Sequence, residues 1–348
     1  MAISDDFADA TIRHQVYLQR YKSGVVKDIL SLLTDVEDKV VADLIKSGLD
    51  KLPRRQLNRL LRQLKDKIRL GYEPVIALLN NEVEELAKYE KQWQMNLFGK
   101  LVPIDLDFVA PSDEQIIAGV ISRPFQGRFL RDWYQGLPDG QFRRLKDAVM
   151  QGYVEGQTTQ QIVQTVRGTR TQKGIIEQSR RGAETTVRTA LAHSANTARS
   201  LVYKRNSRLI KSVEWVATLD GRTTAICRAR DGKVYPTNAG PRPPAHPGCR
   251  STTIPVLKSL RELGISAKEV PVASTRASMN GQVSSELNYD KWLRTQSKDF
   301  QDEVLGQSKA KLFRAGLEMD RFVDRRGNEL TLDQLKQRES AAWAKAGL

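Results

Sequence analysis

The stretch VEWVATLDGRTTAICRARDGKVYPTNAGPRPPAHPGCRSTTIPVL, residues 213–257, decides how the rest of this chain is read. It opens with Val213-Glu214-Trp215-Val216-Ala217, a β-branched and aromatic run that predicts a strand. Asp220-Gly221 and Asp231-Gly232 are turn signals, because glycine supplies the backbone angles that tight turns need. Lys233-Val234-Tyr235 and residues 252–257 predict two further strands. Helical periodicity flanks this small β-element on both sides. The fold class is therefore α+β, mainly α. Long helices surround a small antiparallel β-element at about 213–257, and a short helical C-terminal region comes after it.

Upstream, Val16, Ile29, Leu32, Leu33, Val36, Val40 and Leu44 recur at helical spacing, giving one long amphipathic helix over 12–46. Gly48 and Pro53 close it. Leu57, Leu60, Leu61, Leu64 and Ile68 predict a second helix over 54–70, ended by Gly71. Pro74 suits the first turn of a third helix over 75–93, with Glu82, Glu84, Glu85, Lys88 and Lys91 on its solvent face. Residues 97–111 lack a helical period and read as a crossing segment. Ser112 with Gln115 is a capping box. Helices at 125–133 and 141–153 are expected on either side of the turn Leu137-Pro138-Asp139-Gly140, and Thr158/Thr159 starts another over 160–167. Residues 173–207 give the longest uninterrupted helical pattern. Its Ala183, Ala190, Ala192, Ala195 and Ala198 let a neighbouring helix approach closely. Downstream, residues 270–286 read as a loose connection. Helix resumes at Tyr289, Phe322-Val323-Asp324 reads as a short strand, and Thr331 with Gln334 caps a last short helix. The chain thus divides into four regions: N-terminal helical 1–110, central helical 111–210, β-element with the Cys/His cluster 211–260, and linker plus C-terminal helices 261–348.

Composition narrows the chemistry. The 348 residues, 40% hydrophobic and 28% charged, suffice for a large core without disulfides or metals. Lys and Arg number 56 against 41 Asp and Glu, and the resulting +15 favours an anionic partner without naming one. Two cysteines exclude a disulfide-rich scaffold, and three histidines far apart in sequence argue against a multi-histidine centre. No apolar run is long enough to span a membrane, and the acidic start MAISDDFADA lacks a signal-peptide pattern. The expectation is an intracellular, reduced protein.

Both cysteines and one histidine fall within the β-element: Cys227, His246 and Cys249. Thiolates and imidazole at these spacings suit a tetrahedral zinc site, with Asp220, Asp231, His193 or water as a fourth ligand. The same residues also fit a packed, reduced structural site, since a buried free cysteine behaves as a small hydrophobe. A Cys227–Cys249 disulfide and a Cys–His nucleophile pair are further readings. The His-x-Glu with Cys-x-x-Cys of zinc deaminases, the His-Glu-x-x-His of metalloproteases, the Walker A loop and Gly-x-Gly-x-x-Gly are all missing from the sequence. Two stretches are strongly basic. Residues 51–69 include Arg54, Arg55, Arg59 and Arg62, and residues 170–208 include Arg180, Arg181 and Arg188. Either is a candidate for sequence-independent contact with DNA phosphates, or a solvated face.

Several of these residues also carry a resemblance. Trp215, Asp220-Gly221-Arg222-Thr223, Cys227, Asp231-Gly232-Lys233-Val234-Tyr235 and Pro243-Pro244-x-His246-Pro247-x-Cys249-Arg250 resemble the Mu F-like minor head (head morphogenesis) family of tailed bacteriophages. Tyr289-Asp290-Lys291-Trp292-Leu293, Gln296, residues 300–306 and Phe322-Val323-Asp324 are similar to that family's C-terminal portion, so the likeness spans about 177–335. The resemblance implies a structural virion protein in few copies, inside the head near the portal vertex, and in the host cytoplasm during assembly. Its implied partners are the portal protein, the major capsid or scaffolding protein, packaged double-stranded DNA and copies of itself, with no membrane in the assembled head. It implies assembly, packaging or ejection rather than catalysis. A structural zinc is the one cofactor the residues suggest.

Overall fold

The structure, a computed structural model, describes residues 3–102, 106–265 and 275–348, with the side chains of residues 3–6 excepted. The chain starts with α1, Ile3–Ser47. Gly48, in the left-handed region at φ 57°, stops it, and a 3-10 turn at Leu49–Lys51 leads to α2, Arg54–Leu101. The expected break at Gly71 does not occur. Leu57, Leu61, Leu64, Ile68, Tyr72, Val75, Leu79, Val83 and Leu86 keep one buried face running through it. That continuous face outweighs the roughly 1 and 3 kcal/mol propensity costs of Gly71 and Pro74 inside a helix. Gly71 instead permits close packing, because a Cβ there would lie 2.2 Å from Val36 Cγ2 of α1.

Next come α3, Asp113–Ser122, α4, Leu130–Gln135, and α5, Leu137–Val154. The expected 125–133 helix starts late, because Phe125 and Arg128 exchange backbone hydrogen bonds in a tight turn. The expected turn 137–140 is the first turn of α5: Pro138 sits where no helical N–H is needed, and Gly140 N donates to Gly136 O. Thr158 and Gln161 form a capping box at the start of α6, Thr159–Arg167. Helix α7, Ile175–Arg205, is 31 residues long, shorter than α1 at 45 and α2 at 48. Both α1, which starts at Ile3 well before the expected residue 12, and the uninterrupted α2 exceed it, so 173–207 is not the longest helix.

Strands β1, Ile210–Val216, β2, Val234–Pro236, and β3, Thr252–Leu257, form an antiparallel sheet in the order β2-β1-β3. Val213 lies opposite Tyr235 on one side and Pro255 on the other. A short helix unseen in the sequence, α8 at Ala225–Arg230, sits between β1 and β2. It is too short to show a period. Part of the expected loose connection is a hairpin of β4, Thr275–Ser278, and β5, Gly281–Ser284; residues 270–274 of that connection lie outside the described residues. Helices α9, Tyr289–Arg294, α10, Lys298–Leu305, and α11, Gln307–Arg314, come next. Phe322 closes a 3-10 turn at Met319–Phe322, and Val323 makes only an isolated bridge to Glu329, so the expected strand there is absent. A tight turn at 324–327 leaves no room to extend the pairing. The Thr331/Gln334 capping box opens α12, Leu332–Arg338, and α13, Ser340–Lys345, ends the fold.

The chain forms two compact units. One holds Met1–Gln19, Glu90–Asp113 and Ala198–Leu348, and the other Arg20–Tyr89 and Glu114–Thr197. These interleave along the chain, whereas the four regions read from sequence are contiguous. In the second unit the small residues of α7 do allow close packing: Ser194 Oγ donates to Val83 O of α2 at 2.6 Å. The first unit holds a fully buried charge network. Glu90 of α2 accepts from Arg199 Nη2 of α7 at 2.6 Å, pairs with His14 Nε2 of α1 at 2.7 Å and accepts from Gln94 at 2.8 Å. Burial would raise the Glu90 pKa, but Arg199, His14 and Gln94 outweigh it and hold the carboxyl down at about 2. The sheet, α8 and α9–α13 belong to this unit as well, with Leu219, Tyr289, Trp292, Leu312, Phe313 and Phe322 in their core.

Candidate functional site

The site grows from β1 and the segment after it. Beyond β1, the chain turns at Asp220-Gly221 and enters α8 at Thr224, which places Cys227 in the first turn of that helix. The loop from β2 to β3 carries Pro241, Pro243, Pro244 and Pro247, with a cis Pro243–Pro244 bond, and returns His246 and Cys249 to the same point. Cys249 N donates to His246 O at 3.1 Å, so the His-x-x-Cys step is a tight turn. Trp215 and Ala217 of the sheet region back the two cysteines, with Ile226, Tyr235 and Ala245 around them.

Three potential ligand atoms converge there, all within 4.8 Å of one another. Cys227 Sγ lies 3.6 Å from Cys249 Sγ and 3.3 Å from His246 Nε2. Both cysteines are free thiols. His246 Nδ1 lies 2.9 Å from the Pro247 carbonyl and donates to it, which leaves the Nε2 lone pair aimed at the sulfurs. Thr224 Oγ1 sits 2.8 Å from that nitrogen. The charges divide unevenly. A hydrogen bond from Cys227, reinforced by His246 against the effect of burial, holds the Cys249 thiol well below its ordinary range. The bond to Cys249 and burial push the Cys227 thiol up. Burial opposes charge on His246, yet the Cys249 sulfur and the Pro247 carbonyl raise its pKa. Two sulfurs and an imidazole nitrogen thus converge on one point, a donor set for a soft, tetrahedral metal.

The structure places the three other fourth-ligand candidates elsewhere. Asp220 Oδ1 accepts from Arg250 Nη2 at 2.8 Å and from Thr223 Oγ1 at 3.1 Å, and its second oxygen also takes Arg250. Burial would raise its pKa; Arg250, Thr223 and the Arg222 N–H outweigh that and lower it. Asp220 thus anchors the loop through Arg250, one residue past Cys249. Asp231 is a buried hub that accepts from Ala217 N at 2.6 Å, from Tyr289 N at 2.6 Å, and from Arg276 Nη1 and Nη2 at 3.0 and 3.2 Å. His193 lies in the other compact unit, with Nε2 donating to Val120 O at 3.3 Å. Thr224, Ser251, Arg250 and Arg276 are the neighbours that sequence reading missed. Only the adjacency of Ser251 and Arg250 to Cys249 hinted at them.

A cleft of about 660 Å³ opens on the same unit, lined by Ile226, Arg230, Lys233, Tyr235, Asp320 and Arg321 among others, but not by Cys227, His246 or Cys249. The two basic stretches also differ. Arg54, Arg55, Arg59 and Arg62 are exposed along α2 while Leu57, Leu61 and Leu64 face inward, and none of the four forms an ion pair among the described residues. Arg180 is instead spent internally, with Nε 2.7 Å from the buried Glu37 and Nη2 2.9 Å from Thr34. Arg181 pairs with Glu177 and Arg188 with Glu184, one turn away in α7. Of these seven arginines, the four on α2 are the ones outside any ion pair among the described residues.

Residues 143–254 match the family described as Phage Mu protein F like protein. Over this region, about a third of its length, the chain is similar to that family. The match runs from within α5 to within β3, so it takes in α7, the sheet and Cys227, His246 and Cys249. It begins upstream of the likeness read from the sequence and ends before Tyr289. No curated protein and no solved structure matches the chain. The family is one of bacteriophage head morphogenesis and virion proteins. No helix among the described residues is long and apolar enough to cross a membrane.

Proposed function

We propose that this Mu F-like protein is a structural minor head protein that sits inside the phage head at the portal vertex and acts by docking. The observation that carries this reading is the family match over residues 143–254, joined to the architecture of that region. There a small sheet and a proline-stiffened loop are fixed by side-chain bonds, and the neighbouring large cleft does not reach the thiol–imidazole cluster. Its partners are the portal protein and the capsid or scaffolding protein, bound stoichiometrically. Cross-linking and mass spectrometry of purified proheads tests this: links from this chain to portal are expected, and proheads that contain the chain linked only to non-portal proteins would contradict it.

The second reading, contact with packaged DNA during ejection, has its own support in the unpaired arginines of α2. Binding to duplex DNA should be independent of sequence and fall steeply with salt. Affinity that stays flat from low to physiological salt would remove this role and leave the docking role untouched.

A further inference from the structure

We propose that Cys227, His246 and Cys249 bind one zinc ion, with water in the fourth position, and that the ion ties α8 to the loop between β2 and β3. The first support is metric. Zn–S bonds of about 2.3 Å and Zn–N bonds of about 2.0–2.1 Å set tetrahedral edges of about 3.8 Å between two sulfurs and about 3.5 Å between sulfur and nitrogen. The structure has 3.6 and 3.3 Å on the two corresponding edges, each about 0.2 Å short. A disulfide would need its sulfurs at about 2.05 Å.

The second support is orientation. Metal-bound histidines hand their other ring nitrogen to a carbonyl or carboxylate, which fixes the tautomer. His246 does this with the Pro247 carbonyl. Two thiolates also neutralise Zn²⁺, so the site gains no net charge; on binding, Cys227 and Cys249 each give up a proton to solvent.

The third support is need. Residues 237–251 contain no helix or strand, and few backbone bonds hold them together. Yet Pro243, Pro244 and Cys249 are buried. A cross-link to α8 supplies what secondary structure does not.

The test uses the full chain, purified without chelators in reducing buffer. Elemental analysis should give one zinc per chain. After stripping, titration with Co²⁺ should give a thiolate-to-cobalt charge-transfer band and the intense visible bands of a four-coordinate ion. His246→Ala should weaken Co²⁺ binding by at least about 100-fold, since loss of even an outer-sphere partner costs 10–100-fold. Because Cys249→Ser can fail to fold, the titration of the unaltered chain is decisive by itself. Absence of zinc together with no cobalt bands, weak bands of a six-coordinate ion, or a Cys227–Cys249 disulfide that persists in reducing buffer would each overturn the proposal.

Discussion

Replacing Asp231 by alanine is the sharpest single perturbation of this fold. Its carboxylate accepts from two backbone N–H groups, Ala217 and Tyr289, and from both terminal nitrogens of Arg276. It thereby joins the end of β1, the β4–β5 hairpin and the start of α9. The side chain of Asp231 is 0% exposed and that of Arg276 5%. Removing one partner of a buried ion pair costs about 3–5 kcal/mol, because the remaining charge stays desolvated. Arg276 keeps the Ala217 and Leu287 carbonyls, which offsets part of that loss. The two orphaned backbone donors add about 1–3 kcal/mol each, not fully additively. A net loss of at least about 4 kcal/mol is expected, a large share of the 5–15 kcal/mol available to a typical folded protein. Urea denaturation monitored by circular dichroism measures it. The double variant Asp231→Ala/Arg276→Met should recover part of the loss, because it removes the stranded charge. A cost below about 1 kcal/mol for Asp231→Ala, or a double variant worse than the sum of the single ones, would refute the reasoning.

Other outcomes rest on individual contacts. Gly71→Ala should destabilise the chain by about 1–3 kcal/mol through its clash with Val36, and Val36→Ala should relieve most of that in the double variant; thermal denaturation of all three variants checks it. Burial, helped by Arg123, lowers the His193 pKa from 6.5 to about 4. The unfolded chain therefore takes up a proton below pH 6.5 that the folded chain refuses until about pH 4. Stability should fall by roughly 3 kcal/mol across that window and lose nothing further from this residue below it. His193→Gln, measured by urea denaturation at pH 7 and pH 4, should flatten that part of the pH profile. If DNA contact runs through α2, joint replacement of Arg54, Arg55, Arg59 and Arg62 by alanine should reduce the slope of log affinity against log salt by up to about 3.6, whereas Arg180→Ala should mainly lower stability. Fluorescence anisotropy on duplex DNA at several salt concentrations separates the two.

The sequence is most informative where a period or a motif is long enough to read. The leucine face of α2, the alanine face of α7 and the three strands around Trp215 are legible from spacing alone; the helix expected to start at Thr158/Thr159 does so, and the Thr331 cap lies where its motif places it. Gly71 and Pro74 mislead because local propensity takes no account of the buried face that runs past them. The six-residue α8 and the four-residue strands β4 and β5 are too short to carry a period; the hairpin is anchored by Arg276, whose partner is 45 positions away. At the candidate site, Cys227, His246 and Cys249 are legible as chemistry-bearing residues close in sequence. The roles of Asp220, Asp231 and Arg250 are not, because a carboxylate's partner is set by tertiary structure. The Glu90–Arg199–His14 network, which joins three helices distant in sequence, leaves no local signal at all.

The docking account is tested most directly by quantitative mass spectrometry of gradient-purified heads from the phage that encodes this chain. A small, fixed number of copies per head, retained with the portal through salt washing, is the predicted result. A chain missing from both proheads and mature heads, and recovered only in the soluble fraction of infected cells, would contradict it.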